Sequence, residues 1–139
     1  MSRMIALALA LAAAVVGCED HDGSRQEPNG EALMNPQSPE MNQQAPAQYQ
    51  VRMETSAGPI VIEVHRDWAP HGADRFYNLV RQGYYDECRF FRVVPNFVVQ
   101  WGMHGDPEVM KKWIDATIAD DPVVETNGRG TVTFAKTNS

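Results

Sequence analysis

The stretch "FFRVVPNFVVQ" (residues 90–100) decides how this chain folds. Its aromatic and β-branched residues favour strands. Pro95-Asn96 predicts a turn or bulge between two short strands, because proline cannot donate to a sheet ladder. The stretch also places Arg92 and Gln100 among apolar residues, and buried polar groups need hydrogen-bond partners. Two interpretations stay open from the residues alone: an edge arginine that reaches water with a glutamine at a strand end, or two polar groups of a site.

Alternation of apolar and polar residues predicts an antiparallel sheet around this stretch. Runs bounded by Gly, Pro or Asn have the pattern of half-buried strands. The predicted strands lie near residues 49–55, 59–65, 89–94, 97–101 and 130–135. Ser56-Ala57-Gly58-Pro59 joins the first two strands as a hairpin. We therefore expect a mainly β (α+β) fold whose antiparallel sheet curls into a β-barrel.

One helix is predicted to cap this sheet, near residues 70–82. Its apolar residues recur at spacings of three and four, which defines one buried helix face: Ala73, Phe76, Tyr77 and Val80. Pro70 suits the first helical turn, and Gly83 suits the position after the last one. A second, short helix is predicted at 107–115.

The N-terminus has the pattern of a secretory signal. Arg3 precedes an uninterrupted apolar run at residues 5–16. That run is shorter than the ~20 residues that span a bilayer, so it fits a signal peptide better than a membrane helix. It ends in "VVGC" (residues 15–18), which resembles the lipobox of bacterial lipoproteins. The resemblance implies a signal peptide at residues 1–17 and lipid on Cys18; an ordinary signal peptide with Cys18 as a bystander stays open.

Residues 18–48 are rich in Pro, Gln, Asn, Glu, Ser and Gly, with isolated apolar residues. Such a segment buries too little apolar surface to offset the entropy of ordering, so we expect a flexible tether. Together with Cys18, the tether predicts an extracytoplasmic protein that is lipid-anchored to a bacterial membrane, on the periplasmic side or at the cell surface.

Composition argues against several other functions. The net charge of -6 and the scattered Lys and Arg residues disfavour a nucleic-acid partner. Cys88 has no activating histidine nearby in the sequence, so an inert, partly buried thiol is expected. Asp120 and Asp121 read as surface acids beside a turn. The histidines considered as metal ligands lack the spacing of a metal site: His65, His71 and His104.

Several motifs together resemble one family. "FFRVVPNFVVQWG" occurs with "METSAGPIVIEV" (53–64), "APHGADRFYNLVRQGYYD" (69–86) and "GDP" (105–107). In this order they resemble the cyclophilin-type peptidyl-prolyl cis-trans isomerases, and the resemblance runs from about Val51 to Ala135. It implies a cyclophilin-like barrel, an enzyme that isomerises X–Pro bonds and assists protein folding, and proline-containing polypeptides as substrates.

The resemblance also implies roles for individual residues. Arg92 takes the place of the catalytic arginine, which stabilises the twisted amide. Val98 stands where methionine is common, and Lys136 departs from the asparagine found in some members, which leaves its role open. The implied substrate-binding residues are Phe97, Val98, Gln100, Ala135 and Lys136.

The reaction breaks no bond, so no cofactor or metal is expected, and we expect a monomer. In the family a further half of the domain follows, opening with Gln-Phe-Phe. We therefore expect residues 49–139 to be the N-terminal part of a cyclophilin-like domain whose barrel is incomplete. The alternative function is a truncated, inactive fragment or a weak peptide-binding lipoprotein.

Overall fold

The computed structural model describes residues 30–136. Its strands are β1 (Gln48–Thr55), β2 (Gly58–His65), β3 (Arg92–Val94) and β4 (Val98–Gln100). Its α-helices are α1 (Gly30–Leu33), α2 (Pro70–Arg81) and α3 (Pro107–Trp113), and short 3-10 turns lie at Pro39–Met41 and Arg66–Trp68. Strands and helices are thus mixed, as predicted. The signal peptide and Cys18 lie outside the described residues.

The first hairpin confirms the predicted pair of strands. β1 and β2 pair antiparallel along their whole lengths, from Gln48 opposite His65 to Thr55 opposite Gly58. Gly58 has φ 114°, a conformation that favours glycine, and the Thr55 hydroxyl donates to its carbonyl at 2.6 Å. Local sequence therefore determines this hairpin, because its turn chemistry and its alternation agree.

Helix α2 also matches its prediction, and its C-terminus shows why. The amide of Tyr84 donates to Leu79 at 3.0 Å, and that of Gly83 donates to Val80 at 3.1 Å. With Gly83 at φ 71°, this is a Schellman motif. The buried face differs slightly from the predicted one, since Leu79 is buried and Val80 is only half-buried.

Asp121 caps the other end of α2 and corrects the interpretation of this residue as a surface acid. Its Oδ1 accepts from the amide of His71 at 2.9 Å, and its Oδ2 accepts from that of Gly72 at 2.8 Å. The residue at the N-cap position is Ala69, whose side chain cannot accept a hydrogen bond. A carboxylate distant in sequence therefore satisfies the free amides of the first turn.

The main core lies between the helices and the segment before β1. Its buried residues come from 30–41, α2, the loop after α2 and α3: Ala32, Leu33, Met41, Leu79, Tyr84, Val109 and Trp113. The indole N–H of Trp113 donates to the Leu33 carbonyl at 2.8 Å in this core.

The predicted tether is therefore wrong over residues 30–48. Asn78 donates to the Gln43 carbonyl at 2.7 Å, and the Asp74 carboxylate accepts from the Ala45 amide at 2.9 Å. The isolated apolar side chains of this segment pack against α2 and α3, and its backbone groups form hydrogen bonds with side chains of the same helices. These contacts offset the entropy lost when the segment is ordered. Residues 30–48 thus pack against the part that was predicted to begin at residue 49, while residues 18–29 lie outside the described part.

The predicted barrel is not closed in the described residues. β1–β2 and β3–β4 form two separate two-stranded sheets. The strand predicted at 130–135 is absent from the described chain, and these residues are exposed and irregular. β3 and β4 have three residues each, fewer than predicted, because Phe90 and Trp101 leave the ladder and pack their rings together. Barrel closure needs pairing between the hairpins, which local alternation does not supply.

Candidate active site

A tight turn closes the second hairpin, called here the Arg92 hairpin (residues 92–100). The amide of Phe97 donates to the Val94 carbonyl at 3.1 Å, and Asn96 has φ 59°. Proline at the second position and a positive φ at the third are the features of a type II turn. Asparagine tolerates this left-handed conformation better than most residues. The turn therefore fixes how β3 and β4 align.

That alignment answers the question left open by the sequence. Arg92 lies directly opposite Gln100, and Val94 lies opposite Val98. These four residues share one face of the hairpin, while Val93 and Val99 point to the other. The Arg92 Nη1 donates to the Gln100 Oε1 at 2.8 Å. The arginine and the glutamine are thus neighbours on one surface.

The guanidinium is held yet accessible. Arg92 is exposed and Gln100 is half-buried. A guanidinium has five N–H donors in a rigid fork and stays charged throughout the physiological pH range. One donor is engaged by Gln100, so the charge is oriented while other donors face outward. This arrangement can present a fixed positive charge to a bound peptide.

Phe97 places an aromatic ring at the tip of the same hairpin. Its side chain is 78% exposed, and its neighbour Val98 is half-buried. An aromatic ring this exposed has little apolar contact within the described chain, so covering it with an apolar group is favourable. The hairpin thus joins a fixed charge to an uncovered ring.

The structure gives Lys136 another partner, and Ala135 beside it is exposed. The Lys136 ammonium pairs with the Asp120 carboxylate. Nearby, Phe134 lies against the start of α2, where its ring would be 3.5 Å from a Cβ built on Gly72. Arg92, Val98 and Gln100 are brought together with Phe97 in one hairpin, whereas Lys136 pairs with Asp120 and Phe134 lies against α2.

An aromatic cluster that the sequence reasoning missed anchors the base of the hairpin. The Trp101 ring has its centroid 5.0 Å from that of Tyr85, 6.3 Å from Phe76 and 6.4 Å from Phe90. All three contacts are edge-to-face, a favoured geometry for aromatic pairs. Burial, and secondarily the nearby Tyr84, raises the pKa of Tyr85, which keeps its hydroxyl neutral. In the sequence, the one signal for this cluster was the position of Trp101 directly after Gln100.

Cys88 lies beside this cluster and agrees with the expectation of an inert thiol. Its Sγ is 3.1 Å from the Met103 carbonyl, which can accept from the thiol. Burial, and secondarily the Asp86 charge, raises the pKa of the Cys88 thiol. Nucleophilic cysteines need the opposite shift.

Two cavities open elsewhere on the described chain. One, of about 200 Å³, is lined by Glu87, Arg89, Phe91, Met103 and Gly105. The other, of about 210 Å³, lies between α2 and its neighbours and is lined mostly by polar residues, including His71, Asp74, Arg75 and Asn78. Neither is lined by Arg92 or Gln100. The candidate site is described instead by its exposed side chains, Arg92 and Phe97.

Two other kinds of feature are absent from residues 30–136. No cluster of three or more His, Cys, Asp or Glu side chains there is arranged to hold a metal ion. No helix in the same range is both long and apolar enough to cross a membrane.

Comparison with known proteins identifies the class. The sequence profile of the cyclophilin-type peptidyl-prolyl cis-trans isomerases (Cyclophilin type peptidyl-prolyl cis-trans isomerase/CLD) matches residues 50–139, well over half of the chain. The chain belongs to this family. The matched range contains the first hairpin except the first two residues of β1, the whole second hairpin, α2 and all the site residues proposed in the folded part.

Several curated relatives carry the name of the activity. The chain is 46% identical over 52 residues to peptidyl-prolyl cis-trans isomerase ppi1 of Schizosaccharomyces pombe, covering 37% of this chain and 34% of that protein. It is 37% identical over 93 residues to a peptidyl-prolyl cis-trans isomerase of Acinetobacter baylyi, covering 64% and 47%. It is 37% identical over 89 residues to peptidyl-prolyl cis-trans isomerase-like 2 of Gibberella zeae, covering 60% and 15%. The chain thus spans less than half the length of each. No solved structure matches it significantly.

Proposed function

We propose that this protein isomerises peptide bonds that precede proline and thereby assists protein folding, with Arg92 stabilising the twisted amide. One observation carries the proposal. The Arg92 Nη1 is fixed on the Gln100 Oε1 at 2.8 Å, on the hairpin whose tip presents Phe97. Membership of the isomerase family and the names of the relatives support the same reaction.

The reaction needs only electrostatics and positioning. Amide resonance sets a rotational barrier of ~18–20 kcal/mol, and uncatalysed X–Pro exchange takes on the order of tens to hundreds of seconds. No bond breaks, so nucleophilic or redox chemistry has no step to perform. A catalyst must therefore bind the twisted amide more strongly than the planar one.

Arg92 meets that requirement. Rotation about the C–N bond removes the resonance and leaves a lone pair on the prolyl nitrogen. A guanidinium N–H directed at that nitrogen gains a hydrogen bond that the planar amide cannot form. Because Gln100 already orients the fork, little reorganisation is needed as the amide twists.

Phe97 and Val98 would hold the proline while the preceding residue rotates. The exposed ring of Phe97 offers an apolar surface to the pyrrolidine ring of the substrate. Gln100 shares its hairpin face with Arg92 and would contact the substrate backbone there. The proposal does not depend on Ala135 or Lys136, whose roles as substrate contacts remain a prediction.

The test uses protease-free NMR exchange spectroscopy on a short X-Pro peptide. Arg92→Ala should lower kcat/KM by about 10²–10³, the typical effect of removing one preorganised donor. The matched control is Arg52→Ala, because Arg52 is an exposed arginine that pairs with Glu54 on β1. Equal rates for Arg92→Ala and the unmodified chain would refute the role of Arg92.

A second candidate function is peptide binding without turnover. It is favoured by the openness of the hairpin, since Phe97 is 78% exposed and Arg92 is exposed as well. Water next to the charge would weaken its effect on the amide. Saturable shifts of the hairpin amides with the same peptide, without faster cis–trans exchange, would support this function over catalysis.

We also propose an extracytoplasmic, lipid-anchored location through Cys18. The sequence at 15–18 and the apolar run before it support this. Since residues from Gly30 onward belong to the folded part, at most twelve residue steps, roughly 40 Å of extended chain, would separate it from the anchor. Cys18→Ser should release the protein from the membrane fraction, whereas Cys88→Ser should not. Unchanged membrane association of Cys18→Ser would contradict the anchor.

A further inference from the structure

We propose that Trp101 is a positioning residue for Arg92. The Trp101 ring fixes the base of the Arg92 hairpin. Gln100 therefore presents its amide oxygen to the Arg92 guanidinium in one orientation. The catalytic consequence rests on the proposed function, whereas the positioning itself does not.

The Arg92 hairpin needs an external anchor. It has three residue pairs, and a further ladder bond joins the Phe91 amide to the Gln100 carbonyl at 3.1 Å. A two-stranded hairpin is marginally stable by itself in water. Val93 and Val99, on the face opposite Arg92, are both more than half exposed. The orientation of the hairpin therefore depends on what holds its ends.

Trp101 anchors the hairpin at the end where the Arg92 guanidinium lies. It follows Gln100 directly, and its ring contacts Phe90, which comes just before β3. The same ring contacts Phe76 on α2 and Tyr85 in the loop after α2. Trp101 thus links both ends of the hairpin base to the helix.

The backbone after Trp101 is adapted to this contact. Gly102 has φ 105°, which favours glycine. A Cβ at this position would touch the ring that supports Trp101, at 3.4 Å from the Tyr85 Cε1, and the positive φ would strain any residue that carries one.

Only Gln100 separates Trp101 from the Arg92 guanidinium along this path. The Gln100 backbone is covalently joined to Trp101, the Gln100 carbonyl accepts from Phe91, and the Gln100 side chain accepts from Arg92. If the ring of Trp101 is lost, the end of β4 can rotate, and the Gln100 Oε1 no longer meets the guanidinium at a fixed place. A displacement of about 1 Å in an active site can lower a rate 10²-fold.

The test compares Trp101→Ala and Trp101→Phe with the control Trp68→Ala. Trp68 is also a partly exposed tryptophan, but its ring stacks on His65. Three quantities are measured: the rotation rate of the Arg92 guanidinium by ¹⁵N NMR, kcat and KM for the X-Pro peptide, and hydrogen-exchange protection of the Tyr84 amide that closes α2.

For Trp101→Ala we expect faster guanidinium rotation and a kcat that falls about tenfold to a hundredfold, with KM changed much less. Tyr84 protection should persist. Trp101→Phe should restore slow rotation and most of kcat, and Trp68→Ala should change neither. A merely structural tryptophan would lower Tyr84 protection without selectively freeing the guanidinium.

Slow guanidinium rotation in a folded Trp101→Ala variant would overturn the proposal, as would equally fast rotation in Trp68→Ala. If Trp101→Ala does not fold, Trp101→Leu keeps the apolar bulk without the aromatic edges and is judged by the same rotation rate. Unchanged activity in Arg92→Ala alongside a freed guanidinium in Trp101→Ala would instead refute the proposed catalysis and leave the positioning intact.

Discussion

Replacing Asp121 by alanine should destabilise the fold more than any other change to an acidic residue of the 114–125 loop. The carboxylate accepts the amides of both His71 and Gly72, at 2.9 and 2.8 Å, across about fifty residues of sequence. Alanine leaves both amides of the first turn without this partner. It also removes a negative charge from the positive end of a twelve-residue helix.

The size of the effect follows from these two losses. Removing a capping side chain costs about 0.5–2 kcal/mol, and the lost interaction of the charge with the helix dipole adds about 0.3–1 kcal/mol. We expect a decrease of about 2 kcal/mol in the free energy of unfolding. For a domain of this size that corresponds to a decrease of roughly 10 °C in Tm.

Thermal unfolding followed by circular dichroism at 222 nm measures this change. Asp120→Ala is the matched control, because Asp120 is adjacent but its pair with Lys136 is well exposed and should contribute ~0–1 kcal/mol. Asp121→Asn keeps an acceptor oxygen without the charge and should lose about half as much as alanine. Equal Tm values for Asp121→Ala and Asp120→Ala would refute the capping role.

Two other predictions concern the segment before β1. The side-chain hydrogen bond from Arg66, followed by the hydrogen bond from the Ala45 amide, lowers the pKa of Asp74. This carboxylate therefore stabilises the fold above its unfolded pKa of ~3.9. The stabilisation is lost as the pH falls through the lower pKa of the folded state. Asp74→Asn should therefore lower stability at pH 7 and flatten the acid limb of a urea-unfolding pH profile; an unchanged profile would contradict this. Trp113→Phe removes the buried N–H that the Leu33 carbonyl accepts and should cost about 1–3 kcal/mol in urea unfolding, and a loss below about 0.5 kcal/mol would show that the segment does not depend on this bond.

Local sequence predicted those elements whose stability is local. Helix α2 combines a proline at its start, an apolar face and Gly83 in the Schellman motif. The β1–β2 hairpin combines alternation with a glycine at the end of its turn. In both cases the short-range signals agree with one another, and such agreement makes an element predictable.

The segment at 30–48 was mispredicted because its stability is not local. Leu33 and Met41 are isolated apolar residues in a polar composition, which resembles a tether. Both are buried, against partners such as Trp113 that lie far along the chain. Composition counts apolar residues, but it does not show which distant surface they meet. The Asp121 cap was missed for the same reason.

The candidate site was predicted in part. The motif located Arg92, Phe97, Val98 and Gln100, and these residues do meet in one hairpin. Alternation could not show that Arg92 and Gln100 share a face, because the positive φ of Asn96 sets the register. The anchoring by Trp101 was not predicted, since aromatic contacts to α2 depend on tertiary packing.

The central claim is that Arg92 stabilises the twisted amide more than the planar one. The measurement is an NMR titration with the X-Pro peptide, which yields the dissociation constant, followed by exchange spectroscopy at saturation, which yields the cis–trans rate within the bound complex. For Arg92→Ala we expect a bound-state rate lower by about 10²–10³ with a Kd changed only a few-fold. A weaker Kd with an unchanged bound-state rate would show that Arg92 only binds the planar substrate, and would refute its role in twisting the amide.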